Sequence, residues 1–235
     1  MDIKLQENNN NIVTINHDLV ILQEYERMYV GNTDIFPVAY FTDLGPLQKQ
    51  EQALKIIRFA LEKYLQWTPQ DIRRYLTSDV LKKMKLSKII NKYIDFPQEY
   101  SKDDLDMTYL AYLLYPKKFR LSIEDQCIAM FERVHTGSAS KFPSTWIGGI
   151  EGVRRFSILL QYAISQMPRF QNLEAMYQYF SGPKGVAAMK KYKLYSFAIT
   201  LYANVFEAFH KSMPHKLRSD FLYHYYRFSK KVYIR

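Results

Sequence analysis

Apolar side chains recur at three- and four-residue spacing along most of the chain, and prolines and glycines cut that pattern into short lengths. A set of short α-helices satisfies both constraints. Leu54, Ile57 and Leu61 share one face of the segment 47–66, which must stop near Trp67-Thr68-Pro69 because a proline drives the residue before it out of the α conformation. Thr68 is then a natural N-cap, and Pro69 sits at the first helical position, where its missing N–H costs nothing. Asp18 caps an earlier helix carrying Leu19, Leu22, Tyr25 and Tyr29, and Gly31 ends it. After a short helix to about Leu76, Thr77 or Ser78 caps one that the spacing extends through about Tyr93. It turns Val80, Leu81, Met84, Ile89 and Ile90 inward and Lys82, Lys83, Lys85, Lys88 and Lys92 outward. Further helices are expected from Leu105 to Tyr115 and, capped by Ser122, to about Val134. The block Gly137 to Ser140 reads as a linker. Strand-like runs such as Val232-Tyr233-Ile234 are short and terminal, so the expected fold class is all-α.

The same succession then recurs. Phe142-Pro143 with Trp146 echoes Phe36-Pro37 with Tyr40, and Arg154-Arg155-Phe156 echoes Ile57-Arg58-Phe59. Tyr179-Phe180-Ser181 follows Tyr75-Leu76-Thr77, and Met189-Lys190-Lys191-Tyr192-Lys193-Leu194 follows Leu81-Lys82-Lys83-Met84-Lys85-Leu86. Pro214-His215-Lys216-Leu217-Arg218 matches Pro116-Lys117-Lys118-Phe119-Arg120. The offsets drift between 97 and 108 residues while the order is kept, as expected of two diverged helical modules with loop insertions. The expected division is a mobile N-terminal arm and short helix over 1–35, module 1 over 36–135 and module 2 over 136–235. Phe36-Pro37, Trp67, Lys85-Leu86 and Tyr115-Pro116 together resemble a repeat found in uncharacterised proteins of Gram-positive spore-forming bacteria and their phages. The likeness covers roughly residues 36–120, and the second copy is more divergent. It implies a repeat and no activity.

Charge divides along the same line. Residues 1–135 carry 18 Lys and Arg against 19 Asp and Glu, whereas residues 136–235 carry 15 against 4. The basic half also holds 20 of the 37 aromatic side chains, a combination that suits an anionic partner. A single cysteine, Cys127, excludes an internal disulfide and a multi-cysteine zinc site, and sits in the apolar pattern Ile123, Cys127, Met130, Phe131. With no apolar run long enough to span a bilayer and no secretory pattern at MDIKLQENNNN, a cytoplasmic protein without membrane attachment is expected.

Nothing in the chain carries catalysis. Glu207 and His210 have the spacing of a helical metal motif, but a second Glu-x-x-His is missing. Asp103, Asp104 and Asp106 lack the glycine and closing glutamate of a calcium loop, and no nucleophile motif accompanies the serines. No enzyme activity, metal or cofactor is expected. Two glycine-bearing helix starts could face phosphate: Gly148-Gly149 before Arg154 and Arg155, and Gly182-Pro183-Lys184-Gly185. Two basic, aromatic stretches add Lys190, Lys191 and Lys193, and then Arg227, Lys230, Lys231 and Arg235. Lys82 and Lys85 are the first module's counterpart. Cations so placed neutralise phosphates while tyrosines stack on bases or bond the backbone. The expected function is nucleic-acid binding, with duplex DNA favoured, in a regulatory or accessory role. The alternative is an adaptor for an acidic protein partner, for which 20 tyrosines and nine methionines supply interface anchors.

Overall fold

A computed structural model describes residues 19–31, 36, 38–101 and 105–213, and every regular element among them is helical. The order is α1 (19–30), α2 (Pro46–Tyr64), α3 (Pro69–Tyr75), α4 (Ser78–Lys83), α5 (Ser87–Tyr93), α6 (Leu105–Leu114), α7 (Ile123–Thr136), α8 (Gly149–Ser165), α9 (Leu173–Ser181), α10 (Pro183–Lys191), α11 (Tyr195–Leu201) and α12 (Val205–Ser212). Single 3₁₀ turns precede α2, α6 and α8. The protein is all-α over its described residues.

The chain forms two compact units, one within Met1–Ser101 and Asp106–Phe119, the other within Lys102–Leu105 and Arg120–Arg235. The division therefore falls at Phe119, not at the expected position after residue 135. Helix α7 packs against α8 inside the second unit, where the Phe131 ring meets Tyr162 edge-on at 5.1 Å. The expected linker at Gly137–Ser140 is instead a helix ending. Gly137 adopts a φ of 81°, the left-handed conformation that glycine takes without strain, and the Ala139 N–H folds back to the Arg133 carbonyl at 3.1 Å. Likewise α1, expected within a separate arm, inserts Ile21, Tyr25 and Met28 into the first unit's core.

Helix starts follow local chemistry. Thr68 and Asp71 make a reciprocal cap: the Asp71 N–H donates to Thr68 Oγ1 at 3.2 Å and the Thr68 N–H to Asp71 Oδ2 at 3.0 Å, with Pro69 between. Ser122, Asn172 and Asn204 cap α7, α9 and α12 through their side-chain oxygens. In the first unit Ile56, Ile57, Ala60 and Leu61 of α2 pack with Ile72, Leu76, Leu86 and Leu110 at full burial. In the second, Phe180 and Phe209 stack with centroids 4.3 Å apart, and Phe156 meets Phe197 edge-on at 5.5 Å.

The helix expected from Thr77 through Tyr93 is broken in two. At the break Lys85 has a φ of 56°, and the Leu86 N–H reaches back to the Leu81 carbonyl at 2.8 Å. The second unit contains the same bend: Lys193 has a φ of 56° and the Leu194 N–H donates to the Met189 carbonyl at 2.8 Å. Leu81, Met84, Leu86, Ile89, Ile90 and Ile94 are buried around the first bend; at the same spacing Met189, Tyr192, Leu194, Phe197, Ala198 and Tyr202 are buried around the second.

A lysine-rimmed cleft in the second unit

The bend sets the direction of the lysines. With Lys193 in the left-handed region, α10 stops at Lys191 and α11 leaves from Tyr195, so side chains from both helices and the turn can border one concavity. A cleft of about 370 Å³ lies there, lined in part by Lys141, Lys190 and Lys193. Ser140 and Ser196 add hydroxyls, while Phe142, Ile147 and Phe197 supply an apolar lining. Among the described residues, no carboxylate lines it. Two clefts of the first unit differ, since each holds an acid: Glu62 in one, Asp106 in the other.

The lysines are held differently. Lys193 Nζ donates to the Val134 carbonyl at the end of α7 at 2.8 Å, and Lys190 Nζ stands 5.1 Å from the centre of the Tyr195 ring. Lys191 lies 5.5 Å from the Tyr192 ring. Next to them, burial together with Lys193 and Lys191 holds the His135 imidazole below its ordinary basicity. His135 stacks on Phe131 at 4.7 Å and on Tyr192 at 5.3 Å.

The other expected site residues separate into groups. Lys184 is exposed in the first turn of α10. Arg154 is exposed and 3.9 Å from Glu124, whereas Arg155 is half-buried with its guanidinium 5.3 Å from the Trp146 ring. Arg155 is thus spent largely on packing against the turn before α8. Lys82 is exposed; Lys85, expected on the same outward row, turns back into the fold and donates to the Gly31 carbonyl at 2.9 Å and the Met28 carbonyl at 3.2 Å. Arg227, Lys230, Lys231 and Arg235 lie outside the described residues. Lys141 was missed by sequence reasoning. It stands alone, about fifty residues from Lys190, and its one local signal is its place beside Phe142-Pro143.

Two groups that could have supplied chemistry, Cys127 and Glu207, are otherwise engaged. The Cys127 thiol is fully buried, and burial pushes its pKa up to about 12, so the nucleophilic thiolate is suppressed. Glu207 accepts from the Ala203 N–H at 3.0 Å and pairs with Lys211 at 2.6 Å; these bonds hold its carboxyl below the usual range. Among the described residues no cluster of three or more His, Cys, Asp or Glu is placed to hold a metal ion. No described helix is long and apolar enough to cross a membrane.

The profile of a family described as a protein of unknown function, DUF4046, matches residues 21–103, from α1 to the loop before α6. No curated protein and no solved structure matches the chain.

Proposed function

We propose that this protein binds nucleic acid without catalysing a reaction, in a regulatory or accessory role in the cytoplasm, and that the two units are diverged copies of one helical module. The observation that carries the reading is the convergence of Lys141, Lys190 and Lys193 on one cleft whose lining, among the described residues, holds no carboxylate. Three cations brought together without neutralising acids make a local positive field, which draws polyanions and exchanges their counterions for protein ammonium groups. Exposed Lys191 and Lys184 on the same helix α10 extend the charge along it.

Fluorescence anisotropy with labelled oligonucleotides at rising salt tests this. Three phosphate contacts give a fall of log affinity with log salt of slope about 2 on a single strand or about 3 on a duplex. The double variant Lys141→Gln with Lys190→Gln lowers that slope by roughly 1 to 2 while leaving the thermal melt in place. Retention of an acidic polypeptide but of no oligonucleotide at low salt replaces this reading with a protein-adaptor role.

A further inference from the structure

The cleft is more than a charged surface, and its lining distinguishes among nucleic acids. A duplex shows a protein's surface its phosphates, sugars and the edges of its bases, and keeps the flat faces of the bases stacked inside. Phosphates contacting Lys141, Lys190 and Lys193 from a duplex would leave the partly exposed Ile147 and Tyr195 of the lining facing water beneath them. An unpaired nucleotide brings a flat apolar face together with its charge. Base and aromatic ring then stack, at a sequence-tolerant gain that a paired base cannot offer.

Resting on the nucleic-acid reading above, we infer that this cleft receives an unpaired nucleotide, with its base against Tyr195 and Ile147 and its flanking phosphates against Lys141, Lys190 and Lys193. The volume of about 370 Å³ falls among small-ligand sites, which are mostly apolar with a few placed polar groups. Tyr195 is the ring of this lining that keeps partial exposure, since Phe142 and Phe197 are buried beneath the surface. Ser140 and Ser196 stand exposed among the lysines and offer hydroxyls to phosphate or sugar oxygens. Lys193 spends one N–H on Val134, and an ammonium has three, so donors remain for a phosphate. The ligand is therefore single-stranded or looped nucleic acid, in place of the duplex DNA that charge alone favoured.

The test compares oligothymidylate with a blunt duplex of equal strand length, using the full chain and two variants that fill the cleft from exposed positions, Ser196→Trp and Ser140→Trp. Folding of each variant is checked by circular dichroism. The expected result is tighter binding of oligothymidylate than of duplex, weakened on the order of tenfold by either tryptophan while duplex binding changes less than about twofold. Equal affinity for both nucleic acids, with neither variant altering either, overturns the unpaired-nucleotide inference and leaves the nucleic-acid reading standing. If neither nucleic acid binds at low salt and polyglutamate does, the nucleic-acid reading fails and the inference falls with it.

Discussion

Lys193 donates its ammonium to the carbonyl oxygen of Val134, 2.8 Å away and 59 residues earlier in the chain. Lys85 makes the corresponding contacts with Met28 and Gly31 in the other unit. Both lysines occupy the left-handed region, where a residue with a Cβ sits at a cost of roughly 1–2 kcal/mol. The contact offsets that cost. The carbonyls at a helix C-terminus lack intrahelical donors and carry the negative end of the helix dipole, so a cation is the preferred partner.

Lys193→Met keeps the strained backbone and removes the cation, and is expected to destabilise the protein by about 1–2 kcal/mol in urea unfolding. Lys193→Gly loses the same bond but relieves the backbone, so it costs less than the methionine variant. The reverse order shows that relief of the left-handed backbone at position 193 is outweighed by other effects of the glycine.

His135 reports on the neighbouring lysines. Its folded pKa lies below the ordinary 6.5, so the unfolded chain takes up the proton first. The stability associated with neutral His135 is present above that ordinary value and lost as pH falls toward the folded pKa. Lys191→Gln removes one of the repelling charges and is expected to move the imidazole's NMR titration upward. An unchanged titration assigns the depression to burial and Lys193.

The Thr68 cap tests local control of α3. Thr68→Ala deletes the acceptor for the Asp71 N–H and is expected to cost about 1 kcal/mol. Hydrogen bonds from the Thr68 hydroxyl and N–H hold the Asp71 carboxyl below its ordinary 3.8. Their stabilisation is therefore present above that value and declines as pH falls through the folded pKa, and Asp71→Asn abolishes this acid dependence in a stability-versus-pH series.

Gly185 is set by close approach and not by backbone angle. A Cβ there would lie 2.6 Å from Phe180 Cα and 2.8 Å from its carbonyl oxygen, both rigid backbone atoms. Gly185→Ala is expected to push α10 away from α9 and to cost about 1–3 kcal/mol, read as a lowered melting temperature. An unchanged melt shows that the two helices separate freely at this point.

The helices and their starts were readable in the residues because those signals act over a few positions. Thr68 with Pro69 and Ser122 with Asp125 satisfy N–H groups within their own first turn, so the chain's order alone specifies them. The alternation of prolines with helical spacing likewise determined the all-helical class. Tertiary structure decided the rest. A left-handed lysine is unfavourable by local preference and persists where a distant carbonyl rewards it, so the breaks at Lys85 and Lys193 are invisible to periodicity. Lys85 and Lys193 look alike in sequence, yet Lys193 lines a cleft that Lys141 also lines, a meeting produced by packing between residues about fifty positions apart. Composition counts charges over a length of chain, whereas a site depends on where folding brings them together in space.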